Sequence, residues 1–279
     1  MKHILPLLLL AWPLVTFAAQ PYALGWKSSP THSKGLRQLP RMAVPVPSKA
    51  SLESLMPPVY DQGSIGSCTA NAGCAAFDFK WKVQHGEFVT PSRLDLYQNE
   101  LRHDGNFPND AGSYTSSILW VLVNQGVARD TCWPYNPSKL AYAAPKCAND
   151  SRGQWKAVKA YDVPNDDNGQ SVKRCISILK IPVLTGGYVY QSIFNPIKDR
   201  STGEWYVPMP SGRSVGGHEI LICGYDDNLV IAKRKGWARI RNSWGTTWAD
   251  KGYSWIPYDY IFNPRQFEDN GSIEIVSGK

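Results

Sequence analysis

The 279-residue chain has no internal repeat, no low-complexity tract and, beyond its first twenty residues, no apolar run long enough to cross a bilayer. A repeat array and a membrane-spanning mature protein are thereby excluded. No CxxC pair or histidine-rich cluster occurs, so no metal site and no cofactor is expected. Acidic residues are missing from residues 1–45, which carry Lys2, Lys27, Lys34, Arg37 and Arg41. Five of the +7 formal charges therefore sit in the first sixth of the chain, and the remainder is too nearly neutral to suggest a nucleic-acid partner. The local cluster Lys233, Arg234, Lys235, Arg239 and Arg241 reads as a solvated hairpin rather than a phosphate patch.

The opening MKHILPLLLLAWPLVTFAAQ joins Lys2, an apolar run and the small pair Ala18 and Ala19, the build of a secretory signal peptide over residues 1–19. Pro6 and Pro13 interrupt a run already short for a transmembrane helix. Export to a secreted or periplasmic, oxidising destination follows, with no membrane contact in the mature form. Residues 20–45 are basic and punctuated by Pro30, Pro40 and Pro45, so an extended N-terminal segment is expected there. The rest, 46–279, is long enough for one large domain or two packed halves, expected as a monomer.

That domain divides by pattern. SCTANAGCAAFDFKWKV and SYTSSILWVLVNQG, the latter closed by Gly126, read as helices. PVLTGGYVY, HEILICGYDD, WARIRNSWG and YSWIPYDYI are short β-branched or aromatic runs bounded by turn residues, and read as strands. An α+β fold results, with a helical lobe first, a β lobe second and a cleft between them.

Cys68 lies in YDQGSIGSCTANAG, where Ser67 is positioned to cap a helix starting at the cysteine. A helix N-terminus favours the thiolate, although a cysteine in this setting is by itself more often a structural thiol. His218 opens a strand in which His218, Ile220 and Ile222 share one face and Glu219, Leu221 and Cys223 the other. The same alternation turns Asn242 inward and Arg239 and Arg241 outward, and an inward amide needs a partner.

Together these residues resemble the papain family of cysteine peptidases, in its bacterial type. DQGSIGSCTANAG, NQGVARDTCWPY, GGHEILICGYDD and RNSWGTTWADKGY carry the resemblance, in the family's order, across most of residues 57–260. It implies a two-lobe papain-like fold acting on protein or peptide substrates. Cys68 is implied as nucleophile, His218 as its acid/base partner, Asn242 as the group orienting the imidazole, and Gln62 as oxyanion donor with the Cys68 amide. Proton transfer from Cys68 to His218 would make the nucleophile a thiolate near neutral pH. Gly112, Ser113, Gly217 and Trp244 are implied in substrate binding, Trp244 also shielding the Asn/His hydrogen bond.

Ile65 and Thr69 depart from the family's common cysteine and tryptophan, so the familiar bridge at residue 65 is absent. Of the five other cysteines, Cys132 and Cys147 flank a WPY loop and are the expected disulfide pair, while Cys74, Cys175 and Cys223 read as buried thiols. The N-terminal segment is expected to act as a short propeptide lying in the cleft of a zymogen. Two other readings remain open: an acyltransferase using the same Cys/His logic, and a catalytically silent binding protein.

Overall fold

The computed structural model describes residues 22–29, 36–40, 44–165 and 167–278. The expected signal peptide, 1–19, lies outside the described residues. The first elements are β1 (Arg37–Gln38), β2 (Lys49–Ser51), α1 (Cys68–His85), α2 (Arg93–His103), α3 (Thr115–Asn124), α4 (Lys146–Ser151) and β3 (Lys156–Asp162). Then come α5 (Gln170–Arg174), β4 (Val183–Val189), β5 (Ile197–Lys198), β6 (Trp205–Tyr206), β7 (Gly216–Ile231), β8 (Arg234–Arg241), β9 (Tyr253–Pro257), α6 (Tyr258–Ile261) and β10 (Phe267–Ser277). Helices α1, α2 and α3 form the first lobe, and one ten-stranded sheet, ordered β1-β3-β10-β4-β7-β8-β9-β6-β5 with β2 beside β7, builds the second. This is the expected α+β architecture.

The small residues of α1 serve packing. Every residue from Cys68 to Phe79 is buried, because alanine and glycine let neighbouring elements approach from all sides. The helix starts at Cys68 as expected, but Ser67 makes no side-chain cap. Its hydroxyl is instead engaged by Tyr135 Oη at 2.5 Å and accepts from Asn71 Nδ2 at 3.0 Å, which fastens the loop before the cysteine.

β7 lies between β4 and β8, so His218 stands opposite Gly187 and Glu219 opposite Gly186. From His218 to Tyr225 both faces of β7 are buried, and the alternation does not separate an inner from an outer face. The strand expected at YSWIPYDYI ends at Pro257 and turns into α6.

Two further expectations need correction. Only the hairpin tip, Ala232 to Lys235, is solvated; Arg239 and Arg241 are buried. Arg239 pairs with Glu53 at 2.7 Å and Asp250 at 2.5 Å, and Arg241 donates to the Pro58 carbonyl at 2.6 Å while packing over Tyr60. Charge compensation and aromatic cover make such burial tolerable, which periodicity alone cannot reveal. Second, all six cysteines are free thiols. The Cys132–Cys147 bridge is not formed, although Cys147 Sγ donates to the Cys132 carbonyl at 3.5 Å. Among the described residues, no helix is long and apolar enough to cross a membrane.

Candidate active site

Asn242 follows the last residue of β8 and reaches His218 at the start of the neighbouring β7. Its Oδ1 accepts from the Ser243 backbone N–H at 2.8 Å and lies 2.7 Å from His218 Nε2. An amide oxygen that already accepts a backbone N–H is fixed as the acceptor end, so His218 Nε2 carries the proton. Nδ1 is then the basic nitrogen of the ring, and it has no hydrogen-bond partner among the described residues. Trp244 stacks on the imidazole with ring centroids 4.5 Å apart, and covers the pair from water.

Gln62 is fully buried and held at both ends. Its Oε1 accepts from Ser243 Oγ at 2.7 Å, and its backbone N–H donates to the Ser243 carbonyl at 2.9 Å. Its Nε2 donates to the Ile65 carbonyl and to the Ala23 carbonyl, each at 3.1 Å. The loop returning to Cys68 is tied down by Asp110, whose carboxylate accepts from Gly66 N–H at 3.0 Å and from Tyr97 Oη at 2.5 Å.

Residues 22–27 occupy the cleft. Ser113 N–H donates to the Gly25 carbonyl at 2.8 Å, and Lys27 N–H donates to the Ser113 carbonyl at 2.9 Å, the two bonds of a parallel pairing centred on Trp26. On the other side the Gly217 carbonyl accepts from Gly25 and Trp26 N–H, both at 3.1 Å. Gly25 passes so close to the cysteine loop that an added Cβ would stand 1.7 Å from the Gly66 carbonyl oxygen. Gly112, at φ +71°, would with a Cβ meet the Gly25 carbonyl oxygen at 2.0 Å. At the far end Tyr22 lies flat on Trp244, with centroids 4.5 Å apart and planes within 5°.

Cys68 and His218 are wholly buried beneath this segment. Burial pushes the Cys68 thiol up to about 12, against the lowering effect of backbone N–H groups of Glu219 and Gly25 on the sulfur. Burial likewise pushes His218 down to about 4, opposed by the Asn242 hydrogen bond. Both shifts favour the neutral forms of the pair while the cleft is filled, against the thiolate expected near neutrality.

Every residue expected at the site therefore converges on one cleft: Cys68, His218, Asn242 and Gln62 at its centre, Gly112, Ser113 and Gly217 along one end, Trp244 at the other. Sequence reasoning missed Thr115 and Glu219. Thr115 Oγ1 donates to Glu219 Oε2 at 2.7 Å and accepts from the Trp26 indole N–H at 3.1 Å. An acid directly after His218 in an otherwise apolar strand was the available signal.

A family model described as papain family cysteine protease matches residues 48–266. An uncharacterized peptidase C1-like protein of Acanthamoeba polyphaga mimivirus is 29% identical over 224 residues, covering 78% of this chain and 70% of that protein. Cathepsin K of Gallus gallus is 26% identical over 196 residues, 70% of this chain, which spans only 54% of that relative's length. Among solved structures, xylellain, a cysteine protease from Xylella fastidiosa, superposes with a TM-score of 0.76 at 29% identity, covering 91% of this chain and 96% of the other. Procathepsin L 3 of the Tenebrio molitor larval midgut, at 18% identity and a TM-score of 0.68 over 88% of this chain and 75% of the other, shares the fold. The Asn242–His218 hydrogen bond under Trp244, together with the family match over most of the chain, identifies the protein as a member of the papain family of cysteine proteases.

Proposed function

We propose that the chain is an exported thiol endopeptidase, made as a zymogen whose own residues 22–27 fill the active site. The carrying observation is the Ala23 carbonyl on Gln62 Nε2 at 3.1 Å, where a substrate's oxyanion would be stabilised. Residues 1–19 serve as the signal peptide, and the domain acts on protein or peptide substrates.

In the open enzyme, Cys68 transfers its proton to Nδ1 of His218, the nitrogen that Asn242 leaves free. The thiolate attacks a peptide carbonyl, and the developing oxyanion takes hydrogen bonds from Gln62 Nε2 and the Cys68 N–H. His218 then protonates the leaving amine, and water hydrolyses the thioester. Trp244 stacks on His218, so the amine side of a substrate points toward Trp244 and its acyl side toward Ser113 and Gly217.

The N-terminal segment runs the other way, with Tyr22 at Trp244 and Trp26 at Ser113. This reversed course fills the site with the extension's own backbone, the Ala23 carbonyl resting on Gln62 Nε2. The proposal is tested by comparing full-length chain with chain trimmed near residue 45. Equal rates on a fluorogenic peptide would rule out the inhibitory role. A thiol-directed epoxide should label Cys68 in the trimmed form, and labelling of another cysteine would overturn the assignment of the nucleophile. A silent binding protein or an acyltransferase would show no peptide hydrolysis abolished by Cys68→Ala.

A further inference from the structure

The Trp26 indole lies in a pocket that the mechanism does not use. Gly186 of β4 forms one wall: a Cβ there would stand 1.8 Å from the indole nitrogen and 2.2 Å from Cδ1. Tyr188 meets the ring edge-on at 5.5 Å and 86°. The floor is polar. Thr115 Oγ1 spends its own proton on Glu219 Oε2 at 2.7 Å, and so presents a lone pair to the indole N–H, 3.1 Å away. Glu219 is fully buried, burial holds its carboxyl well above the usual range, and its Oε1 has no hydrogen-bond partner among the described residues.

We infer that this is a specificity pocket selecting a large aromatic side chain with a ring N–H, tryptophan above phenylalanine, with Gly186 setting its size and Thr115, positioned by Glu219, reading the donor. The inference rests on the proposed peptidase function for its substrate side. The backbone of Trp26 lies between Ser113 and Gly217, the strip assigned to a substrate's acyl side. A substrate of opposite direction still projects one side chain from that strip into the same pocket, because the pocket is defined by the walls and not by chain polarity. Apolar bulk alone would not separate tryptophan from phenylalanine strongly. An acceptor whose own proton is committed to Glu219 does, because phenylalanine brings no donor to the Thr115 lone pair.

The test uses the full chain, folded and then activated by limited proteolysis, with peptides that differ only in carrying tryptophan, phenylalanine or leucine at each of three positions before the scissile bond. At one position kcat/KM for tryptophan should exceed that for phenylalanine by about 3- to 10-fold, the size of one net hydrogen bond. This ratio is insensitive to any released segment left in solution. Thr115→Val should bring the tryptophan-to-phenylalanine ratio near one, and Thr115→Ser should restore it. Gly186→Val should cost the tryptophan peptide on the order of 10-fold or more and the leucine peptide little, by filling the space the indole needs.

A wild-type ratio near one, or a ratio unmoved by Thr115→Val, overturns the inference. If no peptide is cleaved, the peptidase reading falls instead, and the pocket is judged on the intact full-length chain. There Trp26→Phe and Thr115→Val should be non-additive in thermal stability, and strict additivity would remove the hydrogen bond on which the inference depends.

Discussion

The amide of Ser113 donates to the carbonyl of Gly25 at 2.8 Å, tying a residue of the N-terminal extension to the Gly112–Ser113 turn. Together with Ala23 on Gln62 and Tyr22 on Trp244, it seats the extension along the cleft that covers Cys68 and His218.

Gly25→Ala should therefore release activity without proteolysis. The new methyl cannot fit 1.7 Å from the Gly66 carbonyl oxygen, and both of those atoms belong to backbone. Full-length Gly25→Ala chain should hydrolyse peptide faster than untrimmed wild type and approach the trimmed rate. A variant as silent as wild type would show that the segment is not held by this contact.

The closed form should loosen in acid. His218 is depressed from 6.5 to about 4, so the closed state binds fewer protons than a state in which the ring meets water. The associated stability is complete above about 6.5 and is lost as pH falls toward 4, amounting to roughly 3 kcal/mol. Cys68, raised to about 12, acts in the opposite sense: its share is complete below about 9 and is lost as pH rises from there. The hydrogen-exchange protection factors of residues 22–27 in Cys68→Ala chain should fall between pH 6.5 and 4.5, and unchanged protection across that interval would contradict the linkage to His218.

Thiol reactivity should report the same neutral pair. In untrimmed chain, alkylation of Cys68 should be slow at pH 7 and climb only in strong alkali. Trimming should shift the rate profile to a plateau near neutrality, as expected of a thiolate beside an imidazolium. Superimposable profiles before and after trimming would mean that the segment does not control ionisation.

Gln62→Ala should reduce kcat of the trimmed enzyme by about 10²- to 10³-fold, the usual loss for one oxyanion donor, with KM little changed. The same variant removes the donor to Ala23, so the untrimmed chain should also hold its segment more loosely. A kcat within a few-fold of wild type would place the oxyanion elsewhere.

Mild oxidation should join Cys132 and Cys147, whose sulfur already reaches the neighbouring residue's carbonyl at 3.5 Å across an exposed loop. Mass spectrometry should count four free thiols in place of six, and closure of so short a loop should raise stability by about 3 kcal/mol. Retention of six thiols under oxidant would rule the pair out.

Helices α1 and α3, strands β4, β7, β8 and β9 and the four residues of the proposed reaction centre were legible in the chain, because each rests on a local pattern: small residues around Cys68, a glutamine six positions earlier, and β-branched runs bounded by turns. What pattern could not read was partnership. Arg239 and Arg241 alternate like surface residues, yet they are buried because Glu53 and Asp250, the Pro58 carbonyl and an aromatic ring come to meet them from elsewhere in the fold. Ser67, placed like a helix cap, binds Tyr135 instead, 68 residues away.

By itself, then, the sequence determined which side chains could do the chemistry and the order of helix and strand that gathers them. Only the tertiary structure decided the direction of the N-terminal segment, the neutral state of the cysteine and histidine beneath it, and the acceptor waiting behind Gly186. The reason is physical: hydrogen-bond polarity and desolvation depend on which groups meet across distant parts of the chain, and neither is written in local periodicity.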